Sequence, residues 1–235
     1  MPAAGHSLRT APPLEIDLGR GVFESVLVVD GSPVVLERHL RRLGWSTSAL
    51  FGAPLPPAVA ERARASAAGR SRARLRIAAV PRPAGIDVEL DVEDVPSRSG
   101  SVASLEPVLL PGGLGQHKWR DRTGAERLER EVLPALPVFV DVDGDVLEAT
   151  RANVFAVDRG GGVVTPPADG RLLPGVTRER VLEAAARLGL DVRVDRLSLE
   201  DLAAADEIFL TSAVRGVAGV GASGEVAARI AEALR

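Results

Sequence analysis

Residues 173–190 read LPGVTRERVLEAAARLGL. Leu173, Val176, Arg180/Val181, Ala184/Ala185 and Leu188 recur on one face at helical spacing, and Gly189 stands where a helix ends, so the stretch predicts a single helix over 173–190. Its first turn is PGVT. A helix start leaves backbone N–H donors without intrahelical partners and carries the positive end of the helix dipole, which together hold an anion such as phosphate. Thr177 also reads simply as a capping residue. No G-x-x-x-x-G-K-[ST] phosphate loop is present, because the one lysine, Lys118, follows His117.

Elements extend outward from this helix. Before it, RTGAERLEREVL (122–133) predicts a helix, and PVFVDVDG, VLEAT and NVFAVD predict strands separated by turns. After it, DEIFLTSAVRGVAGV (206–220) reads as a strand running into a loop, followed by a short C-terminal helix. Nearer the N-terminus, residues 20–36 predict a β-hairpin with DGS as its turn. Residues 37–52 predict a helix carrying Leu40, Leu43 and Leu50 and stopped by Gly52. A second helix is expected over 58–69, then strands at 74–80 and 86–92. SRSGS (97–101) is a candidate linker. The order predicts an α+β protein of two α/β subdomains, residues 1–100 and 101–235, with a ligand cleft between them.

Composition narrows the chemistry. Hydrophobic residues make up 46% of the 235, enough for a real core, and the net charge of −3 provides no bulk attraction to nucleic acid or anionic membrane. No cysteine is present, which excludes disulfides, thiol nucleophiles and Cys-ligated metal. MPAAGHSLRTAPPLE contains no apolar signal core, and no run of about eighteen apolar residues occurs, so a soluble cytoplasmic protein without a membrane span is expected. The arginine-rich stretch 62–82 raises nucleic-acid binding as a rival, but its strand-like alternation fits a solvated face better.

Four places carry candidate chemistry. Lys118 is the single lysine against 28 arginines, since Lys and Arg total 29. It is either a stray solvated charge or an amine that arginine cannot replace, because a guanidinium stays protonated. HLRRL (39–43) sets Arg41 and Arg42 on a helix, where only one of the two can turn inward toward an anion. VLEATRANVF (146–155) places Glu148 in a hydrophobic strand just before Asn153, where it could hold a protonated ring nitrogen or pair with an arginine. LTSAVRG (210–216) offers consecutive hydroxyls after a buried strand. An amine, two anion-binding elements and a lone carboxylate are the parts that pyridoxal phosphate needs.

In order along the chain, GRGVFESV, HLRRLGWS, Lys118, LEATRANVF, TPPADGRLLPGVTRERVLE and DEIFLTSAVRGV resemble the class IV aminotransferases, the fold-type-IV pyridoxal-phosphate enzymes. The similarity runs from about Gly19 to Val220. The resemblance implies that the cleft between the subdomains holds pyridoxal 5'-phosphate. It gives Lys118 the role of binding the cofactor aldehyde and moving the substrate proton, and Glu148 that of pairing with the pyridine nitrogen. Arg42 would bind the phosphate, together with Val176 and Thr177 at the helix start and with Ser212 and Ala213. Ala213 often carries a hydroxyl in relatives, so its contact would be through the backbone. A homodimer acting on a small-molecule substrate is implied.

The departures point to one branch. Branched-chain and D-amino acid enzymes of the family usually place tyrosines around the substrate carboxylate, and this chain has no tyrosine. Ser25 stands where lyases of the family can carry a hydroxyl near the lysine, and KWRDR is similar to the lyase pattern after it. The expected activity is that of a 4-amino-4-deoxychorismate lyase releasing pyruvate and 4-aminobenzoate. The alternative is an aminotransferase acting on branched-chain or D-amino acids. The N-terminal part is shorter than is usual in the family, so loops covering the cleft are expected to be missing or to come from a partner.

Overall fold

The computed structural model of the chain describes residues 8–96, 101–222 and 224–234. These pack as two compact units, one of residues 15–96 with 117–122 and a larger one of residues 8–14, 101–116 and 123–234. Relative to a division at residue 100, two short pieces change sides: 8–14 joins the larger unit and the segment holding Lys118 joins the smaller. Of the SRSGS linker, residues 97–100 lie outside the described residues.

The smaller unit is a four-stranded antiparallel sheet in the order Ser32–Pro33, Val22–Val29, Arg72–Arg82, Gly85–Asp94. The predicted hairpin closes through Asp30 (φ 46°) and Gly31 (φ 75°), and two successive left-handed residues are what a tight hairpin turn requires. Strand alternation sends Val22, Val26 and Val28 into a core with Leu36, Leu43, Val59 and Ala63 of the helices Leu36–Phe51 and Val59–Ala67. Phe23, Ser25 and Leu27 therefore face the opposite side. Several arginines of the 62–82 stretch are paired with carboxylates, Arg64 with Glu37, Arg70 with Asp94 and Arg74 with Glu93.

The larger unit holds a nine-stranded sheet among the described residues. Its middle runs Leu105–Leu109, Leu136–Val140, Val146–Ala149, Ala152–Val157, Val163–Thr165, and Glu207–Ser212 pairs with Ala152–Val157 from off that path. Phe155 and Phe209, opposite each other in the register, stack at 4.9 Å between centroids. Helix content of 29% and strand content of 33% match the expected α+β class. The chain doubles back where a loop was expected: Gly216–Gly219 pairs antiparallel with Phe209–Ser212. Its two glycines masked a strand that Val217 and Ala218 complete.

The deciding helix spans Val176–Arg187, not 173–190. Leu173 precedes Pro174, and the proline ring disfavours helical backbone at the residue before it. The other end stops as the sequence predicts, with Gly189 at φ 68° and the N–H groups of Gly189 and Leu190 bonding back to Ala186 and Ala185. No helix among the described residues is long and apolar enough to cross a membrane.

Candidate functional site

In the smaller unit, residues 118–120 lie along the start of the strand Val22–Val29. Phe23 N–H donates to the Lys118 carbonyl at 2.9 Å, Arg120 N–H donates to the Gly21 carbonyl at 3.0 Å, and Trp119 bridges to Val22. The backbone of Lys118 is thus fixed while its side chain is turned to the sheet face opposite the two helices, where Nζ sits 4.8 Å from the centre of the Phe23 ring. Arg76, opposite Ser25 in the register, approaches the same ring at 4.4 Å. Ser25 and Lys118 accordingly share one face. The neighbours of Lys118 turn elsewhere: the His117 ring stacks on Trp45 at 4.7 Å and meets the edge of Trp119 at 5.4 Å, with Nδ1 3.0 Å from Ser46 Oγ. Burial pushes the His117 pKa down, favouring the neutral ring.

Arg41 is exposed and Arg42 turns inward, as only one of the pair could. What Arg42 meets there is a carboxylate. Its Nε and one terminal nitrogen each donate to Glu24 at 2.7 Å, and Nδ1 of the buried His39 lies 2.7 Å from the same carboxylate. Burial alone would raise the Glu24 pKa, but the Arg42 charge and the hydrogen bonds from His39 and Arg42 overcome it and hold it down to about 2. Sequence reading missed Glu24 and His39. The signal was there: alternation puts Glu24 between Val22 and Val26 on the apolar face, and a carboxylate buried there demands partners. His39 and Arg42, three apart on a helix, supply them.

In the larger unit, Glu148 is buried on the strand Val146–Ala149. One oxygen accepts from the Leu173 N–H at 3.1 Å and the other from Asn153 Nδ2 at 3.3 Å. Asn153 is the cross-strand partner of both Glu148 and Thr211, so the three side chains stand in one row across three strands. Ser212 ends the third strand and Ala213 follows it. The Asn153 amide also donates to the Leu173 carbonyl at 2.9 Å, which ties the row to the chain entering the helix Val176–Arg187. That helix has Gly175 as its N-cap, with no side-chain cap, so the first-turn N–H groups around Val176 and Thr177 keep their capacity for an anion. Thr211 is buried, and its hydroxyl has no hydrogen-bond partner among the described residues. The structure thus gathers Glu148, Val176, Thr177, Ser212 and Ala213 in the larger unit, and Lys118, Ser25 and Arg42 in the smaller.

A buried carboxylate held by the Leu173 N–H and the Asn153 amide beside an uncapped helix start, with a buried hydroxyl in the same row, is a donor set that suits a phosphorylated heterocycle. A second charged cluster has no such opening. Arg171 fills the acidic turn, pairing with Asp141, Asp143, Asp145 and Asp169. No group of side chains suited to a metal ion occurs among the described residues.

A family model described as amino-transferase class IV matches residues 21–222. The chain belongs to the class IV aminotransferase family. Among relatives, it is 37% identical over 106 residues to a branched-chain-amino-acid aminotransferase of Salmonella typhimurium, covering 41% of this chain and 34% of that protein. It is 32% identical over 129 residues to an aminodeoxychorismate lyase of Bacillus subtilis, covering 54% and 44%. The matched stretch therefore spans less than half the length of either relative. Among solved structures, a hypothetical aminotransferase from Mycobacterium tuberculosis superposes with a TM-score of 0.78 at 26% identity, over 99% of this chain and 93% of that one. An aminotransferase from Brucella abortus, bound to the cofactor PLP (pyridoxal phosphate), gives 0.77 at 26% over 92% and 88%. Class IV aminotransferases are pyridoxal-phosphate enzymes, and lyases and aminotransferases alike are among the relatives of this chain.

Proposed function

We propose that this chain is a pyridoxal-phosphate-dependent 4-amino-4-deoxychorismate lyase, converting its substrate to pyruvate and 4-aminobenzoate. Family membership supports the cofactor. The observation that carries the lyase assignment is the absence of tyrosine from a chain whose family's aminotransferases usually grip substrate carboxylates with phenol hydroxyls. When bound, pyridoxal phosphate supplies an aldehyde that takes an amine and a ring that accepts electrons from the bond being broken. Glu148 holds the ring nitrogen protonated. Val176 and Thr177, with Ser212 and the Ala213 backbone, bind phosphate oxygens through N–H and hydroxyl donors. The family resemblance assigns Arg42 to that end as a charged phosphate contact. The Lys118 amine would hold the cofactor aldehyde, and the same amine would move the proton of the substrate's amine-bearing ring carbon. Ser25, on the same face, returns a proton to the departing enolpyruvyl group. A lyase needs no second substrate, since loss of pyruvate and aromatisation of the ring balance without one. The homodimer and the cytoplasmic location remain part of this proposal.

Two experiments test it. Borohydride reduction of the protein loaded with pyridoxal phosphate should leave the cofactor on the peptide holding Lys118, and mass spectrometry finding the adduct elsewhere, or none, would remove Lys118 from its role. The loaded enzyme should release pyruvate and 4-aminobenzoate from aminodeoxychorismate with no keto acid added. L-leucine, L-glutamate or D-alanine should bleach its visible band slowly or not at all. Rapid bleaching by any of the three, with no pyruvate formed, would make it an aminotransferase.

A further inference from the structure

Asn153 touches both halves of the candidate ligand site in the larger unit without being assigned to either. We propose that it is a positioning residue which sets the spacing between the Glu148 carboxylate and the first turn of the helix Val176–Arg187, so that both ends of one cofactor molecule are gripped together. This rests on the proposal that the site takes pyridoxal phosphate.

The contacts form a closed brace. Asn153 Nδ2 donates to Glu148 Oε2 at 3.3 Å and to the Leu173 carbonyl at 2.9 Å, while the Leu173 N–H donates to Glu148 Oε1 at 3.1 Å. The other amide atom presses on the helix cap. A side-chain carbon placed on Gly175 would lie 2.0 Å from Asn153 Oδ1, so only glycine admits this approach. One buried amide thus joins the carboxylate's strand to the two residues that bracket Pro174 and lead into the helix. An amide is suited to this because its NH2 group donates two hydrogen bonds without adding a charge beside the carboxylate.

A function follows from the rigidity of the ligand. The aromatic ring and the short ester arm confine the distance between its nitrogen and its phosphate to a narrow range. Two half-sites bind such a molecule far more tightly than the sum of their separate affinities only when their own spacing matches. Asn153 needs no contact with the ligand to control that match. At metal sites, outer partners that orient the groups touching the metal change affinity about 10–100-fold when removed, and the same scale is expected here.

The test compares three probes by titration calorimetry on the full chain: pyridoxal phosphate, pyridoxal and inorganic phosphate. The ratio of pyridoxal-phosphate affinity to pyridoxal affinity reads the gain from holding both ends, and attachment to Lys118 cancels from it. Asn153→Ala should cut that gain about 10–100-fold while inorganic phosphate affinity changes less than about threefold. Asn153→Asp keeps the side-chain volume and an oxygen against Gly175, and its carboxyl can donate at most one of the two hydrogen bonds. It should show the same loss, and it decides the matter if the alanine variant does not fold. A gain unchanged within twofold in a folded variant overturns the spacing role and leaves the cofactor assignment intact. Phosphate affinity falling in step with that of pyridoxal phosphate also overturns it, since Asn153 would then only hold the helix start. Failure of the unmodified protein to bind pyridoxal phosphate is a separate outcome, which removes the cofactor assignment and this inference with it.

Discussion

Lys118→Arg is expected to keep the fold and the positive charge and to lose turnover of aminodeoxychorismate by about a thousandfold or more. The strip holding Lys118 is fixed by backbone groups, the Lys118 carbonyl and the Arg120 N–H, which the substitution does not touch. A guanidinium can sit over the Phe23 ring, as that of Arg76 already does. The thermal midpoint should therefore move by no more than a few degrees. What arginine cannot do is give up its proton at neutral pH, so it can neither take the aldehyde nor accept the substrate proton. Pyruvate release and the borohydride adduct should disappear together. Turnover retained within tenfold would return Lys118 to the status of an ordinary surface charge, in a chain that uses arginine for every other one.

The parts of the molecule legible in the sequence are those set by local periodicity and punctuation. The hairpin at Asp30–Gly31, the helix stops at Gly52 and Gly189, and the strand around Glu148 follow from turn chemistry and alternation over a few residues. The helix start was misplaced by three residues because apolar spacing ran on through Leu173, while the proline after it and the Glu148 carboxylate claimed its backbone. Pairings between distant segments were harder to see. Nothing near residue 118 announces that its strip lies along Gly21–Phe23, and nothing near Asn153 announces that its amide reaches Leu173. Such contacts depend on chain separations of about 20 residues or more, where loop length, not propensity, sets what meets. Glu24 is different. Its burial could be read from alternation alone, and only the family's emphasis on Arg42 as a phosphate ligand hid the carboxylate that holds it.

Glu24→Gln is expected to destabilise the protein by about 3–5 kcal/mol, the range seen when one partner of a buried ion pair is removed. Glu24 is 1% exposed and accepts both donors of the Arg42 fork and Nδ1 of His39. Glutamine keeps the shape and one acceptor oxygen but takes the counter-charge from Arg42. The same carboxylate gives stability a pH signature. Its pKa falls from an ordinary 4.5 to about 2 in the folded chain, because the Arg42 charge and the two sets of hydrogen bonds outweigh a burial that acts the other way. A depressed carboxyl pKa stabilises the fold above the unfolded value and loses that contribution as pH falls through the folded one, here between 4.5 and about 2. Each tenfold change in proton affinity is about 1.4 kcal/mol, so the contribution at neutral pH is about 3 kcal/mol. Urea unfolding of the two proteins from pH 7 to pH 3 measures it. The difference in stability between them should be largest and flat above pH 5, then shrink as acid protonates the unfolded form of Glu24 and the native protein gives up its advantage. A difference that stays constant down to pH 3 would mean that Glu24 enters the fold with an ordinary proton affinity, and that the Arg42 pair is an exchange of neutral hydrogen bonds rather than of charge.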